Sequence, residues 1–195
     1  MVQITSIVLF FSSLASFVSA APVPHKSSAV APAAATLVAA STGNAAAAVV
    51  DGFQLLNYAD FQISGGVAGN AAAEANAIFV DPFDDVDLAI LDDQIAKDME
   101  TMRKAAEAAE TGDFNPAIAA ASGAEATALQ VGKIKNKVLK LTAFCQVLNI
   151  KIAKAKAAGK DSADLEAKLA SQQTKLNSNI ATDQKSAGAV SQAIV

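Results

Sequence analysis

Side chains that bind metals or perform nucleophilic catalysis are scarce in this chain of 195 residues, which has one histidine, His25, and one cysteine, Cys145. Zinc and haem sites built on several His or Cys ligands are therefore excluded, as are di-metal sites that need a Glu-x-x-His pair from each of two helices. A Cys–His catalytic pair is disfavoured because His25 lies in a linker-like stretch. We expect no enzymatic activity and no cofactor.

Two other ligand-binding motifs are missing. The acids from Asp81 to Asp93 contain no Asp-x-[Asp/Asn]-x-[Asp/Asn]-Gly loop, so a solvated helix start is favoured over a calcium site. Gly65-Gly66 and Gly69 lack the lysine and the preceding strand of a phosphate-binding loop. We expect these glycines to form a turn and to allow close helix packing, and we expect no metal site.

Tryptophan is absent, aromatic residues make up 5% of the chain, and only five prolines occur. Alanine is abundant and loses little conformational entropy when it enters a helix, so this composition favours helix over sheet. The length is sufficient for one domain with a real hydrophobic core. The composition predicts an all-α fold.

Charge is low overall and unevenly distributed. The net charge of −4 gives no general attraction to nucleic acid or to anionic membranes. Eleven acids lie between Asp81 and Asp113, whereas Lys133 to Lys160 contains eight lysines and no acid. We expect the lysines to form a solvated helix face that pairs with the acidic segment. Binding to anionic wall or host-surface polymers is the alternative, and nucleic acid is least favoured because no aromatics are interleaved.

The N-terminal region reads as a secretory leader. Residues 1–20 combine an apolar run with a small-residue ending and are predicted to be a signal peptide, with an uncleaved anchor as the alternative. Residues 21–48 are rich in Ala, Pro and Ser and are predicted to be a linker or pro-region. Residues 49–195 form the predicted helical domain, in which no segment is long and apolar enough for a membrane span. We expect a secreted protein, extracellular or wall-associated, without stable membrane insertion after cleavage.

The most strongly patterned stretch is 133–158. Apolar residues recur there at alternating spacings of four and three, which predicts one apolar stripe on a long helix that needs partner helices. The stripe consists of Ile134, Val138, Leu141, Cys145, Leu148, Ile152 and Ala155. Cys145 is either a buried small hydrophobe, which its stripe position favours, or the partner in an intermolecular disulfide.

Turn signals divide the rest of the domain into further helices. We predict two helices separated by Gly65-Gly66, one after the acids that ends at Gly112, and a short one from Asn115 to Gly123. After a turn at 159–162, a last helix is predicted to extend to Ile194. The predicted fold is a single-domain bundle of five or six helices, with a long central helix and a C-terminal antiparallel helical hairpin.

Three phrases resemble a family of fungal small secreted proteins: NYADFQISGGVAGNAAAEANAIF (57–79), AEAAETGDFNPAIAAA (106–121) and LQVGKIKNKVLKL (129–141). The resemblance covers residues 50 to 195 and implies secretion, a fungal source and a helical domain without an established enzymatic activity. A looser likeness, based on architecture and composition, is to hydrophobic-surface-binding, cell-wall-associated helical proteins. Cys145 is a departure that the resemblance does not explain.

Three functions follow as hypotheses. The leading one is association with the fungal cell wall or another exterior surface, and the alternatives are an effector-like or antigenic protein that binds a host protein and a carrier of a small apolar ligand. If the 57–79 phrase forms an interaction site, its polar residues Tyr58, Asp60, Asn70 and Glu74 are the candidates. Helix capping and hydrogen bonding between helices are the favoured roles for these four side chains. The sequence leaves the oligomeric state open.

Overall fold

A computed structural model describes residue 50 and residues 53–194. The predicted signal peptide, the linker with His25, and the first residue of the predicted helical domain lie outside the described residues. Within them the all-α prediction is confirmed. The helices are α1 (Tyr58–Phe61), α2 (Ala71–Phe79), α3 (Asp93–Ala108), α4 (Asn115–Ala120), α5 (Gly123–Ala157) and α6 (Ala163–Lys185).

Helix α5 is the centre of the bundle and packs against α2, α3 and α6. Its 35 residues span about 52 Å at 1.5 Å per residue. The predicted stripe describes only part of its buried surface, because Leu139, Ala143, Val147 and Ile150 are also fully buried on other sides of the helix. Burial on more than one side is typical of a helix at the core of a domain.

The predicted helical hairpin is formed by α5 and α6. Gly159 adopts a positive φ of 65°, which ends α5, and an Asp161 carboxylate oxygen accepts a hydrogen bond of 3.0 Å from the backbone N–H of Ala163. The prediction that the last helix continues to Ile194 is wrong. Helix α6 ends at Lys185, and Gly188, with a φ of 82°, turns the chain into a short strand.

That strand, β2 (Val190–Ser191), pairs antiparallel with β1 (Gly66–Val67). The prediction of two full helices around Gly65-Gly66 is therefore wrong as well, because the first, α1, is one turn of four residues and the glycine pair leads into a strand. The chain before α1 packs through side chains such as Phe53, whose ring lies 5.2 Å from that of Phe83.

The contact between α5 and the segment after β2 depends on Gly132. The backbone N–H of Gln192 donates to the carbonyl of Ala128 over 3.0 Å, and a Cβ at position 132 would lie 2.0 Å from the Gln192 carbonyl oxygen. No side chain fits in that space. Gly132 lies inside the helix, where the missing side chain permits the close approach of a second chain segment.

Helix α3 begins at Asp93, at the end of the acidic stretch. Residues Leu88–Ile90 form a 3₁₀ turn, and Asp92 caps α3 by accepting a hydrogen bond of 2.7 Å from the N–H of Gln94. Gly112 does not end the helix, because a π-helical turn, Ala109–Phe114, carries the chain directly into α4. Gly123, predicted to close α4, is the first residue of α5.

Candidate functional site

The structure does not bring the four predicted interaction residues together at one site. Asp60 and Asn70 are exposed; the Asp60 carboxylate accepts a hydrogen bond of 3.5 Å from the nearby Asn57 amide, and Asn70 makes no side-chain cap at the start of α2. Tyr58 and Glu74, both half-buried, instead join a polar cluster against α5. Hydrogen bonding between segments, the favoured role for these side chains, describes Tyr58, whereas Glu74 forms a salt bridge with Lys135.

The centre of this polar cluster is Lys135, whose side chain is 1% exposed. Its ammonium group donates to the carbonyl oxygens of Gly65 and Val67, at 3.0 and 3.1 Å, and lies 2.8 Å from a carboxylate oxygen of Glu74. Two of the ammonium protons thus have carbonyl acceptors, and the Glu74 carboxylate balances the charge from salt-bridge distance. The Lys135 cluster, which we define as Lys135, Glu74 and these two carbonyls, fixes β1 and α2 to the central helix.

The adjacent Asn136 extends the polar contacts to α3. Its amide nitrogen donates to the carbonyl of Ala106 over 2.8 Å, and its amide oxygen accepts a hydrogen bond of 3.0 Å from the hydroxyl of Tyr58. Burial raises the pKa of Tyr58 above its usual range, so the phenol stays a donor at physiological pH. The contacts are internal to the fold and favour a structural role.

Asp183 was missed by the sequence reasoning. It is 2% exposed, and one carboxylate oxygen accepts a hydrogen bond of 3.0 Å from the backbone N–H of Ala71, so a residue of α6 caps the first turn of α2. The sequence did contain a signal for this residue, because positions 176, 180 and 183 follow helical spacings of four and three, so Asp183 continues the apolar stripe of Leu176 and Ile180. An acid at a stripe position indicates a buried partner.

Cys145 lies in the core, 6% exposed. Burial raises the pKa of its thiol to about 11, so the reactive thiolate is scarce at neutral pH. An intermolecular disulfide would require this face of α5 to be uncovered. The structure therefore favours the alternative of a buried hydrophobe.

An open groove of about 370 Å³ lies between α3, α5 and α6 on the surface. We call it the Phe144 groove. It is lined by Arg103, Glu107, Lys137, Lys140, Leu141, Phe144, Gln172, Lys175 and Asn179. Two cations lie against the Phe144 ring, the Arg103 guanidinium carbon 5.0 Å from the ring centroid and the Lys168 ammonium 5.2 Å from it, both within the range of cation–π attraction.

Some of the cations in the groove already have carboxylate partners. Arg103 bonds to Glu100 at 3.0 Å and to Glu107 at 2.6 Å, and the hydrogen bond from Arg103 lowers the pKa of Glu107. Lys140 lies 2.5 Å from Glu110. The contact between Lys140 and Glu110 and the ion pair between Lys154 and Asp93 support the predicted pairing of the lysine-rich helix with the acidic segment, although only in part.

Three lysines in or beside the Phe144 groove form no salt bridge with any of the described residues. Lys137 and Lys175 line the groove, and Lys168 lies against the Phe144 ring. Lys168 and Lys175 are exposed and Lys137 is half-buried, so their ammonium groups can reach a ligand. Gln172 and Asn179 add amide donors and acceptors to the same groove. The arrangement suits an anionic ligand that also carries hydroxyl groups.

Residues 53–195 match the family model of a domain of unknown function, DUF8454. The chain belongs to this family. No curated protein and no solved structure matches it significantly. The DUF8454 match includes all six helices, so both the Lys135 cluster and the Phe144 groove lie within the family domain.

The described part of this DUF8454 domain lacks both membrane-spanning helices and clusters of metal ligands. Over residue 50 and residues 53–194, no helix combines the length and apolarity needed to cross a bilayer. The same part of the chain contains no grouping of three or more His, Cys, Asp or Glu side chains that could hold a metal ion.

Proposed function

We propose that this protein is a non-enzymatic secreted protein that associates with the fungal cell wall or another exterior surface by binding anionic material in the Phe144 groove. The observation that carries the proposal is the concentration of cations without carboxylate partners in and beside one groove, on a chain whose net charge is −4. A local cluster of one sign in a concave site raises the local concentration of ligands of the opposite sign.

The side chains of the groove support binding more than catalysis. Its one carboxylate, Glu107, is held by Arg103, and this hydrogen bond lowers the pKa of Glu107, so the group is ionised and occupied at neutral pH. General acid–base catalysis needs a group whose pKa is close to the working pH. Aromatic and amide side chains beside cations can instead contact sugar rings, hydroxyls and anionic groups.

The experiment measures retention of purified protein on washed fungal wall material. The variant Lys137→Glu/Lys175→Glu reverses two of the groove's free cations, and Lys160→Glu/Lys185→Glu is the matched control, because both of its lysines are exposed, form no salt bridge and lie outside the groove. We expect the groove variant to bind at least about tenfold more weakly and the control to bind like the parent protein.

Salt provides a second readout, because screening weakens attraction between exposed charges. We expect retention to fall as salt is raised from low to physiological concentration. Retention that is equal for all three proteins and indifferent to salt would refute the groove as the binding site. A protein that stays entirely in the medium would refute surface association itself.

A second hollow gives the carrier hypothesis some support. It has a volume of about 210 Å³ and mostly apolar walls, formed by Phe53, Gln54, Leu56, Ala77, Ile78, Pro82 and Met102. Ligand pockets usually have volumes of roughly 300 Å³ or more, so this one fits only a small apolar molecule or part of a chain. Organic extraction of purified protein followed by mass spectrometry tests it, and an extract without apolar compounds counts against it.

A further inference from the structure

A second groove, of about 410 Å³, lies along the same two helices, α3 and α5. We call it the Lys151 groove. Its charged walls are Asp93, Lys97, Glu100, Lys104, Lys151 and Lys154. The volume is similar to that of the Phe144 groove, and again most of the charged side chains are lysines.

The two acids of the Lys151 groove are already engaged. Asp93 pairs with Lys154, and hydrogen bonding to Lys154 lowers the pKa of Asp93. Glu100 bonds to Arg103 through two nitrogens, at 3.0 and 3.1 Å. Lys97, Lys104 and Lys151 form no salt bridge with the described residues and are exposed. The Lys151 groove thus repeats the pattern of free cations found in the Phe144 groove.

The two grooves follow one line on the surface. Helices α3 and α5 run antiparallel, since Asp93 at the start of α3 pairs with Lys154 and Glu110, just past the end of α3, pairs with Lys140. On α5, the positions 137, 140, 144 and 151 are separated by three, four and seven residues, which puts them on one face of the helix.

The bonded pair of Glu100 and Arg103 links the grooves, because Glu100 lines the Lys151 groove and Arg103 lines the Phe144 groove. From Lys137 to Lys151 the line extends about 21 Å along α5 at 1.5 Å per residue. This distance is longer than a single small anion requires.

We propose that the Phe144 groove and the Lys151 groove form one track that binds a single chain of a linear acidic polysaccharide. The inference rests on the proposed function and identifies its ligand class. Six lysines without carboxylate partners border the track, three at each groove: Lys137, Lys168 and Lys175, and Lys97, Lys104 and Lys151.

The surface favours this polymer over two other anionic partners. Single-stranded nucleic acid binds to grooves in which successive aromatic rings stack on bases, and this track contains one ring, Phe144. Membrane-surface binding combines cations with adjacent exposed apolar side chains. The large exposed apolar residues Leu55, Val67, Ile90 and Val190 line neither groove.

The test uses oligogalacturonates of increasing length, namely dimers, hexamers and dodecamers, with neutral cello-oligosaccharides of equal length as the control ligands. Binding to the full chain is measured by isothermal titration calorimetry, which gives both affinity and stoichiometry. Two variants each reverse cations of one groove, Lys137→Glu/Lys175→Glu and Lys104→Glu/Lys151→Glu. Lys160→Glu/Lys185→Glu is again the matched control, and circular dichroism checks that all variants are folded.

A single track predicts that one dodecamer binds per protein, more tightly than the dimer, and that either groove variant lowers its affinity at least about tenfold. If two dodecamers bind per protein, and each groove variant abolishes binding at its own groove without changing the affinity of the other groove, the proposal of a single track is refuted. Equal binding of cello-oligosaccharides, or tighter binding of a polythymidine dodecamer or of phosphatidylserine vesicles with the same dependence on the variants, would overturn the acidic polysaccharide as ligand.

The wall assay separates this inference from the proposed function. Charge-dependent retention on walls without oligogalacturonate binding overturns the ligand class and leaves surface association in place. If the parent protein is not retained on wall material, the proposed function is refuted, whatever binds to the grooves.

Discussion

Lys135 and Lys137 are two residues apart on the same helix and have opposite environments. Lys135 is 1% exposed and its ammonium contacts Glu74 and two carbonyl oxygens, whereas Lys137 lines the Phe144 groove without a salt bridge. Side chains at positions i and i+2 of a helix point about 200° apart. Lys135 therefore faces β1 and α2, whereas Lys137 faces α6. The lysine-rich stretch therefore contains both a structural lysine and lysines available to a ligand.

The environments of Lys135 and Lys137 distinguish a charge that stabilises the fold from a charge that is available for binding. A buried ammonium is tolerated only when its protons are satisfied, and its removal leaves its acceptors unpaired. An exposed ammonium stays hydrated and contributes little to stability. Substitutions on the two sides of α5 should therefore affect different measurements: stability at the Lys135 cluster and ligand binding at the Phe144 groove.

The largest effect on stability is expected for Gly132→Ala, where α5 contacts the segment after β2. The new Cβ would lie 2.0 Å from the Gln192 carbonyl oxygen, which belongs to the backbone and cannot move without releasing the segment after β2 from α5. We expect the free energy of unfolding to fall by about 3 kcal/mol or more, measured by chemical denaturation.

Gly112→Ala is the matched control, since nothing lies within 4 Å of its added Cβ. Its stability should be unchanged or slightly higher, because alanine restricts the unfolded chain. Equal losses for Gly112→Ala and Gly132→Ala would show that the contact with Gln192 does not matter.

Lys135→Met tests the cluster directly. The change leaves the carbonyls of Gly65 and Val67 without their donor and Glu74 without its counter-charge. We expect a loss of about 3 kcal/mol in the free energy of unfolding. The same substitution two residues away, Lys137→Met, should change stability by less than about 0.5 kcal/mol and should weaken wall retention.

Similar stability losses for Lys135→Met and Lys137→Met would remove the distinction between the two environments. Adding Glu74→Gln to Lys135→Met sharpens the test. Since the neutral amide removes the unpaired charge, we expect the double variant to be more stable than Lys135→Met alone.

Asp183→Ala should lower the free energy of unfolding by less than Lys135→Met does. It removes the acceptor for the Ala71 N–H and so the cap of α2. We expect a loss of about 1 kcal/mol by thermal or chemical denaturation, the usual value of an N-terminal cap. Gln184→Ala truncates the exposed neighbour and should be neutral. A neutral result for Asp183→Ala as well would argue against the cap.

The smallest effect concerns Cys145. With a thiol pKa of about 11, against 9.0 without burial, the thiolate fraction at pH 8 is lower by roughly a hundredfold. We expect negligible reaction of the folded protein with a thiol reagent and rapid reaction once it is unfolded. Rapid labelling of the folded protein, or a dimer linked through Cys145, would show that this face of α5 opens.

Alkaline pH provides a further readout for the same residue. Because the folded pKa is raised, the stability associated with the neutral thiol is complete below pH 9 and is lost as the pH rises toward 11. Stability curves of the parent protein and Cys145→Ala should therefore converge or cross over that interval. Parallel curves would contradict a raised thiol pKa.

Several elements were predictable because their causes are local. The spacing of apolar residues predicted α5, the turn from Gly159 to Ser162 predicted the hairpin, and the acids from Asp81 to Asp93 predicted the start of a helix. Predictions based on glycine were less successful. Gly112 lies within a continuous π-helical turn and Gly123 begins a helix, because neighbouring packing can override a residue's intrinsic preference.

The candidate site was predictable only in its charge. The sequence indicated that lysines of 133–160 would face acids, and Lys140 and Lys154 do. It did not indicate which lysines remain free, because that depends on how α3 and α6 are aligned along α5. Phe144, Arg103 and Lys175 belong to three helices, and periodicity within one helix contains no information about its register against another.

The helical class, the long central helix and the uneven charge could be predicted without a structure, because composition, apolar spacing and charge order are properties of the linear chain. Three features became apparent only in the tertiary structure: the enclosure of Lys135 by β1 and α2, the capping of a distant helix by Asp183, and the lack of carboxylate partners for the lysines of the Phe144 groove. The physical reason is that burial and pairing depend on contacts between segments far apart in the chain, and these form only when the helices pack.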